Sequence, residues 1–240
     1  MSSSECNVSE HVVAFIDILG SSEAIKRDAN ASLNVVHQAY KKSLEGFSKI
    51  VTDVRFQPAV KIFSDNIVVA VPCEDKRFEP VAFLAVAVMS AVIQVEFLKK
   101  GWLIRGGICT GSFFADDIMV WGKGLVDAYA MENTVAVYPR IVIDPALIDD
   151  LRASGELDAN TSVWLQQDKD GLFYINCINR YLNNASFFAL GLTKIIEKNI
   201  TRFRDKTKIC QKWLWLSNYL SERLLEMDCD TCVAEKEDKE

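Results

Sequence analysis

Phe15-Ile16-Asp17-Ile18-Leu19-Gly20 and Lys61-Ile62-Phe63-Ser64-Asp65-Asn66 decide how this chain is read. Each stretch puts one carboxylate at the edge of an apolar run. Asp17 follows Val12-Val13-Ala14-Phe15-Ile16, and Asp65 lies between Val60-Lys61-Ile62-Phe63 and Ile67-Val68-Val69-Ala70-Val71. Short β-branched runs of this kind read as buried strands. A carboxylate at such a place is costly unless a positive charge meets it. Two of them suggest adjacent strands that share a cation. The other reading is local: Ser64-Asp65-Asn66 is ordinary turn chemistry, and each acid could bond to nearby amides.

Outward from these strands the chain reads as α+β. Val12 to Ile18 is strand one, and Gly20-Ser21-Ser22 breaks it. Ser21 or Ser22 can cap a helix that runs on through Tyr40 and Phe47, with an interruption expected at Asn30-Ala31-Ser32. Arg55 to Phe63 and Ile67 to Val71 form a hairpin. Glu79 to Lys100 reads as a buried amphipathic helix, because Ser90, Gln94 and Glu96 interrupt its apolar residues. Those polar residues also argue against a membrane span. Trp102 to Cys109 is a strand with a hairpin partner near Phe113 to Val120, and Gly124 to Asn133 is a helix. Val137 to Ile143 reads as a strand whose Pro139 marks an edge. A short helix from Pro145 to Ser154 and two late strands, Val163 to Gln167 and Leu172 to Ile178, follow. From about Ser186 the pattern is helical and aromatic. The expected domains are a leader over residues 1–10, a catalytic domain over 11–183, a helical extension over 184–228 and a charged tail over 229–240. Helices alternating with hairpins predict a mostly antiparallel sheet with helices on its faces.

Composition sets outer bounds. The chain has 240 residues, half of them apolar, enough for one full domain and an extension. A net charge of -6 argues against non-specific nucleic-acid binding. The seven scattered cysteines suggest no disulfide framework, and a cytoplasmic setting is expected. No secretory signal is expected at the N-terminus. Cys229-Asp230-Thr231-Cys232 lacks the further ligands that a zinc site needs.

Two oxygen ligands at strand ends fit Mg²⁺ or Mn²⁺, ions that pair with phosphate substrates. Leu19-Gly20-Ser21-Ser22, directly after Asp17, opens a helix and could offer free N–H groups to an anion. It could equally be a plain cap.

In this order the motifs resemble those of the class III nucleotidyl cyclases. The pair Phe-x-Asp-Ile-x-Gly and Lys-x-x-x-Asp is followed by Arg105-Gly106-Gly107-Ile108-Cys109-Thr110-Gly111, then by Trp121-Gly122 opening a helix that carries Glu132. Gly122-Lys123-Gly124-Leu125-Val126-Asp127-Ala128-Tyr129 and the C-terminal Lys212-Trp213-Leu214-Trp215-Leu216-Ser217-Asn218-Tyr219 are most similar to the bacterial pyrimidine cyclases of the Pycsar antiphage system. The resemblance implies a lyase that makes a 3′,5′-cyclic nucleotide and pyrophosphate. It implies a head-to-tail homodimer with shared sites and two Mn²⁺ or Mg²⁺ ions per site. Asp17, Asp65 and the carbonyl of Ile18 would hold the metals, and Leu19, Gly20 and Ser21 the phosphates. It further implies a defence role in which a separate effector reads the product, with no nucleic-acid or membrane partner.

The departures from the family pattern bear on the substrate. The positions that carry an Asn and an Arg in purine cyclases fall on Val126 and Ala130, and a base-selecting acid falls on Met119. Lys61 matches the family's base-selecting Lys. A pyrimidine substrate is therefore expected, with UTP taken first and CTP the alternative. Arg105 is the first candidate for the transition-state cation and Arg140 the second; a structural salt bridge is the other reading of Arg105. Tyr40 is a candidate base contact, or simply packs at helical spacing. A cyclase-like module without catalysis and a purely structural dimerisation module are the readings from other classes.

Overall fold

The structure of the protein is a computed structural model that describes residues 6–51, 57–155, 157, 159–179 and 185–237. Arg55, expected to open a strand, lies outside these residues, as does the expected domain boundary at 183–184.

The chain begins with β1 (Ser9–Leu19), which starts inside the stretch expected to be a leader. Next come α1 (Ser21–Arg27) and α2 (Ala29–Ile50). The break between these helices falls at Asp28, earlier than expected. The Asp28 side chain accepts from the amide of Ala31 at 2.9 Å and so caps α2. The hairpin β2 (Ala59–Phe63) and β3 (Asn66–Pro72) leads through a short 3₁₀ turn into α3 (Glu79–Leu98). The strands β4 (Leu103–Ala115) and β5 (Val120–Trp121) precede α4 (Lys123–Thr134). After β6 (Ile141–Ile143) come α5 (Pro145–Ala153), α6 (Ala159–Ser162), β7 (Leu165–Gln167) and β8 (Phe173–Ile175). The chain ends in α7 (Ala185–Arg202) and α8 (Thr207–Glu237), so the backbone of the expected tail is helical as far as residue 237.

The sheet order is β2-β3-β1-β4-β6-β8-β7, with β5 paired to β4. Every pairing is antiparallel except β4 with β6. The strand with β6 begins after Pro139 and sits between β4 and β8. Pro139 therefore stands outside the ladder and marks no edge. At the centre, β1 is buried on both faces, which is why its sequence is a continuous apolar run.

Alternation along β1 divides the core. Val12, Ala14, Ile16 and Ile18 point into the larger cluster, with residues of α2, α3, α5, α7 and α8. Val13 and Phe15 point into a smaller one beneath α4, with Val68, Cys109, Phe113 and Ala128. The helix α3 is not amphipathic, as the sequence suggested. It is buried almost all round; Ser90 is fully enclosed, and Gln94 donates to the carbonyl of Pro139 at 2.9 Å. Although α3 lies in a segment long and apolar enough to cross a membrane, 83% of that segment's most apolar window is buried inside the protein. The aromatic C-terminal helices join the same core through Leu192, Ile196, Trp213, Leu216, Tyr219 and Leu220.

Candidate functional site

Asp17 and Asp65 reach one end of the sheet from different elements. Asp17 is the last residue of β1 paired with β3, opposite Asn66, and on its other side it pairs with Arg105 of β4. Asp65 occupies the β2–β3 turn, where Ser64 takes a left-handed φ of 58°. That turn is tied back to β1 because the amide of Ile18 donates to the carbonyl of Asp65 at 3.0 Å. Period-two alternation places Asp17 on the same face as Val13 and Phe15, toward α4.

The glycines of β4 set how close α4 comes. A Cβ on Gly107 would lie 2.6 Å from the carbonyl oxygen of Ala128 and 2.6 Å from the Cβ of Met131. Farther along, a Cβ on Gly111 would lie 3.0 Å from the backbone of Gly124. Without these side chains α4 seats directly on the sheet, and its Glu132 meets Arg105. The Arg105 Nε lies 2.6 Å from Glu132 Oε1 and 3.5 Å from Asp17 Oδ2. Its Nη1 donates to the carbonyl of Ala136 at 3.3 Å. The contact with Glu132 is a bent ion pair and not an aligned hydrogen bond.

The two carboxylates differ in electrostatic setting. Burial raises the Asp17 carboxyl above its ordinary range against the pull of Arg105, and the nearby charge of Asp65 raises it further. The Asp65 carboxyl is lowered, first because the hydroxyl of Ser21 donates to it. Burial also raises Glu132, with Arg105 opposing. A fifth charge belongs to this cluster. Lys212 of α8 is half-buried, and its charge acts on Asp17, Glu132 and Arg105.

Among the described residues, no three His, Cys, Asp or Glu side chains converge on one point. The site offers two carboxylates and main-chain oxygen, a donor set of hard ligands only. This fits Mg²⁺ or Mn²⁺, which keep water and substrate phosphate for their other positions. The mutual repulsion of Asp17 and Asp65 is what a cation between them would relieve.

Asp17, Ile18, Leu19, Gly20, Ser21, Asp65 and Arg105 therefore cluster at one end of the sheet, whereas three other sequence candidates stand elsewhere. Lys61 is on edge strand β2, its ammonium 3.9 Å from Asp117 at the β4–β5 hairpin. Tyr40 is on α2, which packs with α3 across the opposite face; no described contact joins it to the carboxylates, and burial raises its hydroxyl. Arg140 is 1% exposed and pairs with Asp168 and Asp170 beneath Tyr138 and Tyr174, so its charge serves the β7–β8 turn. Sequence reasoning gave Lys212 no role, although it begins a motif that had been singled out. Met119, Val126 and Tyr129 are exposed, as are Phe63, Ile118 and Trp121. They lie on the β2–β3 and β4–β5 hairpins and on α4, and Phe63 and Tyr129 both pack on Phe15.

No protein-family model and no curated protein sequence matches this chain. Solved structures do. The monomeric guanylyl cyclase domain of the RhoGC fusion protein from the aquatic fungus Blastocladiella emersonii is similar with a TM-score of 0.50 at 15% identity, over 70% of this chain and 97% of its own. The adenylyl cyclase CyaB from P. aeruginosa gives a TM-score of 0.47 at 17% identity, over 75% of this chain and all of its own. The protein has the α+β fold of a nucleotide cyclase catalytic domain.

Proposed function

We propose that the protein is a nucleotidyl cyclase that converts UTP to 3′,5′-cyclic UMP and pyrophosphate. The observation that carries this reading is the meeting of Asp17 and Asp65, from separate elements, beside Arg105 on a cyclase-like sheet. Asp17, Asp65 and the carbonyl of Ile18 would hold Mg²⁺ or Mn²⁺, which would supply a lowered pKa for the ribose 3′-hydroxyl and neutralise charge on the phosphate oxygens. The 3′-hydroxyl gives its proton to solvent water, its oxygen attacks the α-phosphorus, and the bond from that phosphorus to the bridging β-phosphate oxygen breaks to release pyrophosphate. Arg105, fixed by Glu132 and the Ala136 carbonyl, presents its charge where negative charge builds. The turn Leu19-Gly20-Ser21 lies along the phosphates, with Ser21 orienting Asp65.

The reading includes a head-to-tail dimer. Trp121, Val126 and Tyr129 are exposed large apolar residues on β5 and α4, the kind of side chain that an interface would cover. Each copy then lends the metal half to one site and the base-facing half, with Lys61, to the other. The preference for a pyrimidine rests on Met119, which cannot supply the polar contact that the resemblance assigns to purine selection; Val126 and Ala130 stand where purine cyclases carry an Asn and an Arg that serve the transition state. Cyclic CMP from CTP is the alternative product. A defence role and a cytoplasmic location are part of the proposal; free cysteines such as the buried Cys73 and Cys109 suit a reducing compartment.

Purified protein incubated with Mn²⁺ and each of the four ribonucleoside triphosphates tests this. UTP should yield pyrophosphate and cyclic UMP. Product from ATP or GTP alone would overturn the pyrimidine assignment. No product from any of the four would leave a nucleotide-binding or dimerisation module.

A further inference from the structure

Among the described residues, Lys212 is a cation without a hydrogen-bond or ion-pair partner in a cluster where every other charge has one. Arg105 is shared between Asp17 and Glu132, and Asp65 is bonded by Ser21. Lys212 is half-buried, and among the described residues it makes no hydrogen bond and no ion pair. Its ammonium is held below the ordinary lysine range by burial and by Arg105.

The helix that carries it is fixed in place. Trp213, the next residue, is 3% exposed in the main core. Trp215 stacks on Tyr138 at 5.9 Å and on Tyr219 at 5.6 Å, and its Nε1 donates to Asp168 at 3.0 Å. The hydroxyl of Tyr219 donates to Asn176 Oδ1 at 2.6 Å and accepts from the amide of Ile178 at 3.1 Å. Tyr138 belongs to the α4–β6 connection whose Ala136 carbonyl holds Arg105. Trp215, one helical turn after Lys212, packs on Tyr138, two residues after the Ala136 carbonyl that accepts from Arg105, so α8 is anchored on the connection that holds Arg105.

We propose that Lys212 is a phosphate-binding residue of the same chain's active site, so that α8 completes the metal half of the site in cis. The inference rests on the cyclase reading above. An ammonium without a carboxylate of its own, beside a guanidinium and a hard-metal site, matches an anion with several oxygens, namely the β- and γ-phosphates of the substrate. It contributes there through charge-assisted hydrogen bonds.

Binding of 3′-deoxy-UTP, which lacks the attacking hydroxyl, and of UMP can be measured by calorimetry with Mn²⁺ on the full chain. Lys212→Met keeps the aliphatic stem. It should weaken triphosphate binding roughly tenfold to hundredfold, leave UMP affinity unchanged and leave the melting temperature near that of the wild type. Lys212→Arg should restore most of the triphosphate affinity. Equal triphosphate binding by wild type and Lys212→Met would overturn the inference while the cyclase reading stands. Equal losses for UMP and the triphosphate, or a large fall in melting temperature, would make Lys212 a structural residue and also overturn it. A wild-type protein that binds no triphosphate would overturn both.

Discussion

Asp17→Asn and Asp65→Ala should both abolish turnover, yet move stability in opposite directions. Asp17 is a largely buried carboxylate whose folded environment disfavours its charge even with Arg105 at 3.5 Å. Asparagine keeps the shape and removes that charge, and Arg105 keeps Glu132 at 2.6 Å. The variant should therefore melt above the wild type in EDTA at pH 7.5. Asp65 is the reverse case. Its truncation leaves the hydroxyl of Ser21, a residue 5% exposed, without its acceptor. A buried hydroxyl left unpaired costs about 1–3 kcal/mol. At this chain length each kcal/mol lowers the melting temperature by roughly 2–4 °C.

The sign follows from linkage. A raised folded-state pKa means that Asp17 weakens the fold as pH rises from its unfolded value of 3.8 through the folded value, and at all higher pH. The advantage of Asp17→Asn should then fade as pH falls toward that value. Asp65 is lowered, so its contribution is present above 3.8 and is lost only as pH falls through its folded value. Adding Mn²⁺ at a hundred times its dissociation constant should stabilise the wild type by about 2.7 kcal/mol, and neither variant should show this shift. Thermal melts with EDTA or Mn²⁺ at several pH values read all of this. The reasoning fails if Asp17→Asn melts below the wild type in EDTA at neutral pH, or if it keeps the full Mn²⁺ shift.

Gly107→Ala places a methyl group 2.6 Å from the Ala128 carbonyl and the Met131 Cβ. It should cost about 1–3 kcal/mol of stability by overpacking and, by lifting α4 from Arg105, reduce turnover; melts and steady-state kinetics check it. Val126→Glu puts a charge on the outer side of α4, where the residue is 62% exposed. Its melting temperature should change little, while light scattering shows loss of the dimer and activity falls with it. Asp65→Ala and Lys61→Ala, each inactive alone, should recover roughly a quarter of wild-type activity when mixed, since random pairing restores one of two sites in half of the dimers. No recovery from mixed dimers confirmed by mass would refute the shared site.

What the sequence made legible was local. The strand β1 could be read because a strand buried on both faces is apolar without alternation. The Arg-Gly-Gly-Ile-x-x-Gly run could be recognised, and its physical reason, the close approach of α4, appears only once Gly107 and Gly111 face Ala128, Met131 and Gly124. The misreadings came from polar residues satisfied at long range. Ser90 and Gln94 suggested an amphipathic α3, but Gln94 spends its amide on Pro139 and the helix is buried almost all round. Arg140 looked available because Asp168 and Asp170, its partners, lie a full α/β excursion away in sequence. Lys212 was hidden for the same reason, because nothing local marks a helix lysine as the neighbour of Asp17.

These placements bear on the cation that the site lacks at α4. Val126 and Ala130 stand where the resemblance expects an Asn and an Arg, and both are exposed on a face with no positive charge of its own beyond Lys123, which is held by Asp127. A dimer built through that apolar face would bring the metal half a surface suited to closing over a base and excluding water, but poor in charge. On the metal side, Asp17, Asp65 and Glu132 outnumber Arg105 and Lys212 by one. A divalent metal turns that balance positive, which is what a tetra-anionic triphosphate requires. The positive charge needed by the reaction can thus come entirely from the metal half. The α4 face of the partner is then free to be apolar, and its departures from the purine pattern need not mean that catalysis was lost.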